Sequence, residues 1–321
     1  MKSIATRVGF RVKKARESSF LEVIRLLWAD PLGRGSIIVL VAFFTLAVLS
    51  FVWTPYDFRA QDFIAARQGP SAEHWFGTDL LGRDMFTRVV YSARITTILM
   101  FMTLFLGGLP LAIFFGIVPI FISNKLDSFV QRIGELMNSI PPLLFILLFT
   151  ALARPVYDDF LYEAGSLGRW FLLSGFADLA LIMVVSWIFL IGASRMFRSM
   201  VLELREAAFV ERAKMLGASR TRIIVRHILP QLYPYIVHAA LSASAGVIGT
   251  EIALSFFGIG IRPPHPSFGA MFSESASIRL LNASPHMLII PGIIVALFLL
   301  AIRILDIRST MILSTEHERE G

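Results

Sequence analysis

Six apolar stretches most limit how this chain can fold: 36–53, 96–121, 133–153, 179–196, 236–257 and 286–305. Crossing the hydrocarbon core of a bilayer takes about 20 residues of helix. Within that core every backbone N–H and C=O must be satisfied inside the chain, which a helix does by itself. The expected fold class is therefore an all-α integral membrane protein with six transmembrane helices. Mean hydropathy is +0.70 and 56% of residues are hydrophobic, too apolar for a soluble domain. The 133–153 stretch is the weakest of the six, because Asn138, Ser139, Pro141 and Pro142 interrupt it. Prolines at 110, 119 and 291 also fall inside spans, and such breaks persist where neighbouring helices or a cavity satisfy the freed backbone groups.

The polar remainder sets the organisation. Residues 1–35 form an N-terminal segment, 36–95 the first span and a polar stretch, 96–305 a core of five spans with a loop at 197–235, and 306–321 a tail. Arg7, Arg11, Lys13, Lys14 and Arg16 make the N-terminus basic and amphipathic, suited to the anionic lipids of an inner leaflet. The first apolar run starts near Ser36 without a small-x-small cleavage site and reads as a retained span. Of the 30 Lys and Arg residues, 21 fall on the side holding both termini and the 197–235 loop, and nine on the other. The positive-inside rule then makes both termini cytoplasmic. In a membrane protein this is also the first meaning of the +7 net charge, so nucleic acid is not an expected partner. The five arginines of 54–94 are matched by Asp57, Asp62, Glu73, Asp79 and Asp84, so that outer segment is neutral and is expected to fold.

The 205–231 stretch, REAAFVERAKMLGASRTRIIVRHILPQ, reads as two short helices. The first covers 206–216 and is broken by Gly217, which can take the left-handed conformation a helix end requires. Ser219 can cap the second, which runs to residue 228 and stops at Pro230. Ala207, Ala208 and Ala213 are small, while Phe209, Val210, Met215 and Leu216 are apolar. These need cover from a partner or from the underside of the bundle, and the residues alone leave both open.

In HWFGTDLLGRDMFTRVVYSAR at 74–94, Thr78 or Asp79 can cap a helix. Asp79 with Arg83 and Asp84 with Arg88 would be i,i+4 pairs worth about 0.3–0.5 kcal/mol each if exposed. Glu251 sits inside the fifth span, flanked by apolar residues, and an acid there marks a route or a partner. With Asn138, Ser244 and Ser255 it is a candidate for the translocation path; pairing with an arginine of an outer gate is the alternative. No phosphate loop of the form GxxxxGK[ST], no HExxH, no CxxC and no cysteine occurs, so no catalytic role is expected. The histidines at 238, 265 and 286 are not spaced as metal ligands, and no metal or other cofactor is expected on this chain.

Glu206-Ala207-Ala208, Gly217 nine residues after Ala208, and Leu229-Pro230 resemble the EAA loop of ABC importer permeases. In that family the loop supplies the helix that seats in an ATP-binding subunit. The resemblance thus nominates Glu206, Ala207, Ala208, Phe209, Ala213, Leu216, Gly217, Leu229 and Pro230 as coupling residues. FGTDLLGRDMFTRVVYSAR is similar to a signature of the C-type permease of dipeptide, oligopeptide and nickel importers. It is carried here by Gly77, Thr78, Asp79, Gly82, Arg83, Asp84, Arg88, Tyr91 and Arg94, with Thr87 and Ser92 as departures. LSFFGIGIRPPHPSFGAMF at 254–272 matches a third block, with Phe268 where Trp is usual. The tail and the long 154–170 segment depart from the family pattern. The resemblance implies the type I importer permease fold in a bacterial inner membrane. It also implies a homologous permease subunit, two ATP-binding subunits carrying ATP and Mg, an extracytoplasmic binding protein, and peptide cargo. Alternatives are an ion-gradient-driven transporter with Glu251 as its proton site, and a family member carrying nickel or another small solute.

Overall fold

The structure is a computed structural model describing residues 24–190 and 194–320. The side chains of residues 137, 138, 142, 185, 188–190, 234 and 313–320 lie outside that description, as do the expected amphipathic segment before residue 24 and the Asn138 side chain. The described residues are almost entirely helical: α1 Pro31–Leu49, α2 Met85–Thr103, a π turn Leu104–Gly108, α3 Leu109–Ile122, α4 Asn124–Ser139, α5 Pro142–Glu163, α6 Gly165–Ser174, α7 Phe176–Leu190, α8 Ser194–Arg205, α9 Ala208–Met215, α10 Arg220–Ile223, α11 Tyr233–Phe256, α12 Phe268–Ser275, α13 Ile278–Ala283 and α14 His286–Glu320.

By length and apolarity, four helical stretches among the described residues can cross a membrane: Pro31–Leu49, Met85–Ile122, Tyr235–Phe256 and His286–Ile312. A fifth counts if Gly165–Ser174 and Phe176–Val184, bent by 83°, are taken together. The expected count of six is therefore not reached by this measure. α5 carries Arg154, Asp158 and Asp159 in its second half, so its apolar part is short. It follows α4 after a break at Ile140 and Pro141, where the sequence placed the interruption.

Local chemistry explains the boundaries. α1 begins five residues before the expected span because Asp30 accepts from Gly33 N at 2.9 Å and Pro31 suits the first turn. α2 begins at Met85, capped by Asp84, whose carboxylate accepts from Thr87 N at 2.7 Å. The expected cap at Thr78 or Asp79 does not form, because residues 77–84 make a tight turn closed by a Thr78–Asp84 bridge. The π turn releases a backbone carbonyl, and Trp187 Nε1 of α7 donates to Thr103 O at 2.8 Å. A Cβ at Gly107 would overlap the Trp187 ring, so this close approach needs glycine.

Three apolar clusters hold the helices. The first joins Phe43, Met85, Val89, Ala93, Met100, Leu104, Phe268 and Phe298, with Phe43 stacked on Phe298 at 3.8 Å between ring centres. The second joins Leu109, Ala112, Ile117 and Ile120 of α3 to Phe197 and Val201 of α8, Val210 and Ala213 of α9, Ile223, Ile228 and Leu232. The third gathers Leu99, Ile146, Ile182, Val247 and Leu254. α3 and α8 approach closely at Gly116, whose Cβ would sit 2.6 Å from Phe197 Cβ.

Candidate functional site

α9 has two faces. Val210 and Ala213 are buried in the second cluster, and Phe209 packs partly against it. Met215 and Leu216, at the other edge, are 79% and 88% exposed. Glu206 and Ala208 are exposed as well. The bundle thus covers one side of α9, and nothing among the described residues covers Met215 and Leu216 on the other. The helix ends where expected. Gly217 has φ +77, Ala218 N donates to Ala213 O at 3.0 Å, and Gly217 N donates to Lys214 O at 2.9 Å.

Two expectations about this stretch are corrected. The first helix does not start at Glu206: α8 runs to Arg205, Glu206 and Ala207 form a turn, and α9 starts at Ala208. The second does not stop at Pro230. α10 passes through a π turn, Ile224–Ile228, and a 3-10 turn, Leu229–Leu232, directly into α11. Pro230 is early in the 3-10 turn, where a missing N–H costs little. Leu229 packs partly against the second cluster. Arg198 of α8 grips Asp127 of α4 through Nε at 2.7 Å and Nη2 at 2.6 Å, and that hydrogen-bonded carboxylate holds its pKa above the ordinary value. Arg220 donates to Phe121 O at 2.6 Å, so the 205–231 stretch is tied to the end of α3.

The other end of the bundle is closed by an ion-pair knot. Asp79 is fully buried and accepts from Leu81 N at 2.8 Å, Arg83 N at 2.9 Å, Arg83 Nε at 2.6 Å and Arg88 Nη1. Both guanidiniums continue to Glu274 of α12, Arg83 at 2.9 Å and Arg88 at 2.5 Å. Burial alone would lower the pKa of Arg83; Asp79 and Glu274 reverse this, and it ends above its ordinary value. Asp84 meets His74 Nδ1 at 3.0 Å, not Arg88, since its carboxylate turns back to cap α2 at Thr87 N while Arg88 is held by Asp79 and Glu274. Thr78 donates to Ala65 O and accepts from Gln68 N at 2.9 Å. Gly77 and Gly82 have φ +76 and +71, and a Cβ on either would strike the Gln68 or Asp62 carbonyl. The signature residues 77–84 thus share one turn, with Arg88 in the first turn of α2. Tyr91 and Arg94 lie farther along α2, with Arg94 3.7 Å from the centre of the Phe51 ring. Glu274 was not singled out in the sequence; an acid within a short amphipathic helix gives no sign of its distant partners.

Comparison with known proteins decides the family. The family model for the binding-protein-dependent transport system inner membrane component matches residues 108–313, well over half of the chain. The chain belongs to this family. A dipeptide transport system permease protein DppC from Alkalihalophilus pseudofirmus is 31% identical over 284 residues, covering 88% of this chain and 85% of the relative. A DppC of Bacillus subtilis is 29% identical over 295 residues, covering 92% and 85%. A glutathione transport system permease protein GsiD of Salmonella paratyphi A is 30% identical over 267 residues, covering 83% and 80%.

A second ionic cluster of the permease joins helices that are distant in sequence. Arg154 of α5 meets Asp178 of α7 at 3.0 Å and donates to Gly260 O at 2.8 Å. Arg262 meets Asp178 at 2.9 Å and Asp158 at 2.6 Å. The candidate path residues of α11 face inward. Ser244, Glu251 and Ser255 are all buried. Ser255 donates to Glu251 Oε1 at 2.9 Å and accepts from Ile261 N at 3.1 Å, which ties the carboxylate to the turn after α11. Glu251 has no arginine partner among the described residues. The open face of α11 carries Ser242, Gly246 and Gly249 instead.

Proposed function

We propose that this permease forms one half of the route by which an ATP-driven, binding-protein-dependent system imports peptides across a bacterial inner membrane. The observation that carries the reading is the split surface of α9: Val210 and Ala213 are keyed into the cluster shared with α3 and α8, while Met215 and Leu216 are 79% and 88% exposed. Exposed apolar side chains beside a charged helix suit a partner's pocket better than water. The partner is an ATP-binding subunit. Two such subunits, holding ATP and Mg, dock at the 205–231 stretches of this chain and of a homologous permease that completes the route. An extracytoplasmic binding protein delivers cargo at the end carrying residues 77–88. The excess of Lys and Arg near 205–231 supports cytoplasmic termini.

Mechanically, closure of the ATPase pair pushes on α9. Packed interiors do not deform smoothly, so α9 carries α3 and α8 with it as one body and tips the bundle between inward- and outward-facing states. The ionic clusters at the far end set the outer boundary of that motion. Peptide cargo is supported by relatives named for dipeptide, peptide and glutathione transport. The test is co-purification and uptake. Met215→Ser with Leu216→Ser should abolish recovery of the ATP-binding subunits and ATP-dependent dipeptide uptake while leaving the chain folded. Unchanged recovery and uptake would overturn the coupling reading; uptake independent of ATP would favour an ion-driven transporter.

A further inference from the structure

At the end carrying the ion-pair knot, a cavity of about 360 Å³ opens between α2, α7 and the segment after α1. Arg59, Arg94 and His265 contribute to its wall, and no carboxylate does. Every other arginine buried near this end holds an acid: Arg83 and Arg88 share Asp79 and Glu274, and Arg154 and Arg262 share Asp178. Arg94 lies on α2 ahead of its apolar stretch and rests on the Phe51 ring at 3.7 Å, without a carboxylate among the described residues. Arg59 likewise lies 5.1 Å from the centre of the Phe58 ring. An aromatic face attracts a cation but leaves its hydrogen-bond donors unfilled. A partly buried guanidinium in a cavity wall without an opposite charge leaves those donors free for a ligand.

The remaining lining is apolar. Ile95 and Ile98 follow Arg94 along α2, and Leu179 and Ile261 complete that part of the wall. The cavity therefore offers guanidinium donors beside a hydrocarbon surface. From this we infer that it binds the oxyanion of an amphipathic molecule, a carboxylate or a phosphate, with the adjoining apolar body against Ile95, Ile98 and Leu179. Guanidinium groups recognise either oxyanion through paired, charge-assisted hydrogen bonds. The occupant is either an anionic lipid headgroup at the membrane surface or the terminal carboxylate of the transported solute. Only the second source rests on the peptide reading above.

The full chain, purified and delipidated, is incubated with phosphatidylglycerol or with phosphatidylcholine of the same acyl chains, and retained lipid is measured by mass spectrometry. In a second arm, the assembled transporter in vesicles is given a dipeptide or its C-terminally amidated form. Loss of one charge-assisted hydrogen bond corresponds to about a tenfold loss of affinity. A lipid occupant predicts a preference for phosphatidylglycerol that Arg94→Gln and Arg59→Gln each reduce and Arg94→Lys largely keeps. A solute occupant predicts a KM for the free dipeptide raised by the same two substitutions, with no effect on the amide. Arg279→Gln, outside the cavity, should change neither. If Arg59→Gln, at an exposed side chain, and Arg94→Gln, each checked to melt with the parent, leave both lipid preference and KM unchanged, the site does not exist. A changed lipid preference with normal dipeptide KM upholds the oxyanion site even if the peptide reading fails.

Discussion

Replacing Asp79 with Asn isolates what the ion-pair knot contributes. The Asp79 side chain is fully buried and receives four donors, two backbone amides and two guanidiniums. An amide in its place keeps one oxygen for the Leu81 and Arg83 N–H groups. Its NH₂, however, faces Arg83 and Arg88, so donors meet donors and two buried cations lose their nearest anion. Removing one partner of a buried pair costs about 3–5 kcal/mol. Glu274 still reaches Arg83 at 2.9 Å and Arg88 at 2.5 Å, which places the expected loss near the lower bound, about 3 kcal/mol. Glu274 is itself 27% exposed, so Glu274→Gln should cost only about 1 kcal/mol. Unfolding of the purified chain by titrating SDS into mixed micelles measures both. In a double-mutant cycle, Asp79→Asn and Arg88→Met should couple by at least about 1 kcal/mol. Asp79→Asn within about 0.5 kcal/mol of the parent, or no worse than Glu274→Gln, would refute the assignment of Asp79 as the hub.

The glycines divide by mechanism. Gly82→Ala meets both a left-handed backbone and the Asp62 carbonyl and should prevent recovery of folded protein. Gly217→Ala, with φ +77 but nothing within 4 Å, should cost only about 1–2 kcal/mol by the same unfolding assay. Gly107→Ala should displace Trp187 and lower thermal stability, with tryptophan fluorescence reporting the new ring environment. On α9 and its neighbours, Ile228→Ala should cost about 2–5 kcal/mol, whereas Leu216→Ser should change stability by less than about 0.5 kcal/mol while weakening ATPase recovery.

The strongly periodic and strongly apolar parts were legible in the sequence. Four of the six expected spans, the break before Pro142 and the end of α9 at Gly217 each follow from local rules acting on neighbouring residues. What escaped depends on residues far apart. The acid-first spacing of Asp84 and Arg88 suggested a helical pair, but Asp84 sits at the N-cap of α2, where its carboxylate turns to Thr87 N and His74, and Arg88 is taken by Asp79 and by Glu274, 186 residues away. Pro230 looked like a stop because its ring cannot continue an α-helix interior, yet a 3-10 turn accommodates it early on. Glu251 stands out in the sequence as an acid amid apolar residues, but its buried bond to Ser255 depends on how the turn after α11 returns.

The π turn at Leu104–Gly108 makes the Met85–Ile122 crossing a rod with two orientations. One additional residue in a turn rotates everything downstream by about 100° about the axis. Before the turn, Met85, Val89, Met100 and Leu104 point into the cluster around Phe298; beyond it, Leu109, Ala112, Ile117 and Ile120 point into the cluster with α8 and α9. The change of azimuth coincides with the change of neighbours. A single crossing is therefore keyed at one end to the ion-pair knot and at the other to α9 and its exposed Met215 and Leu216 edge. Restoring regular winding at Trp187 would unseat one of those two fits.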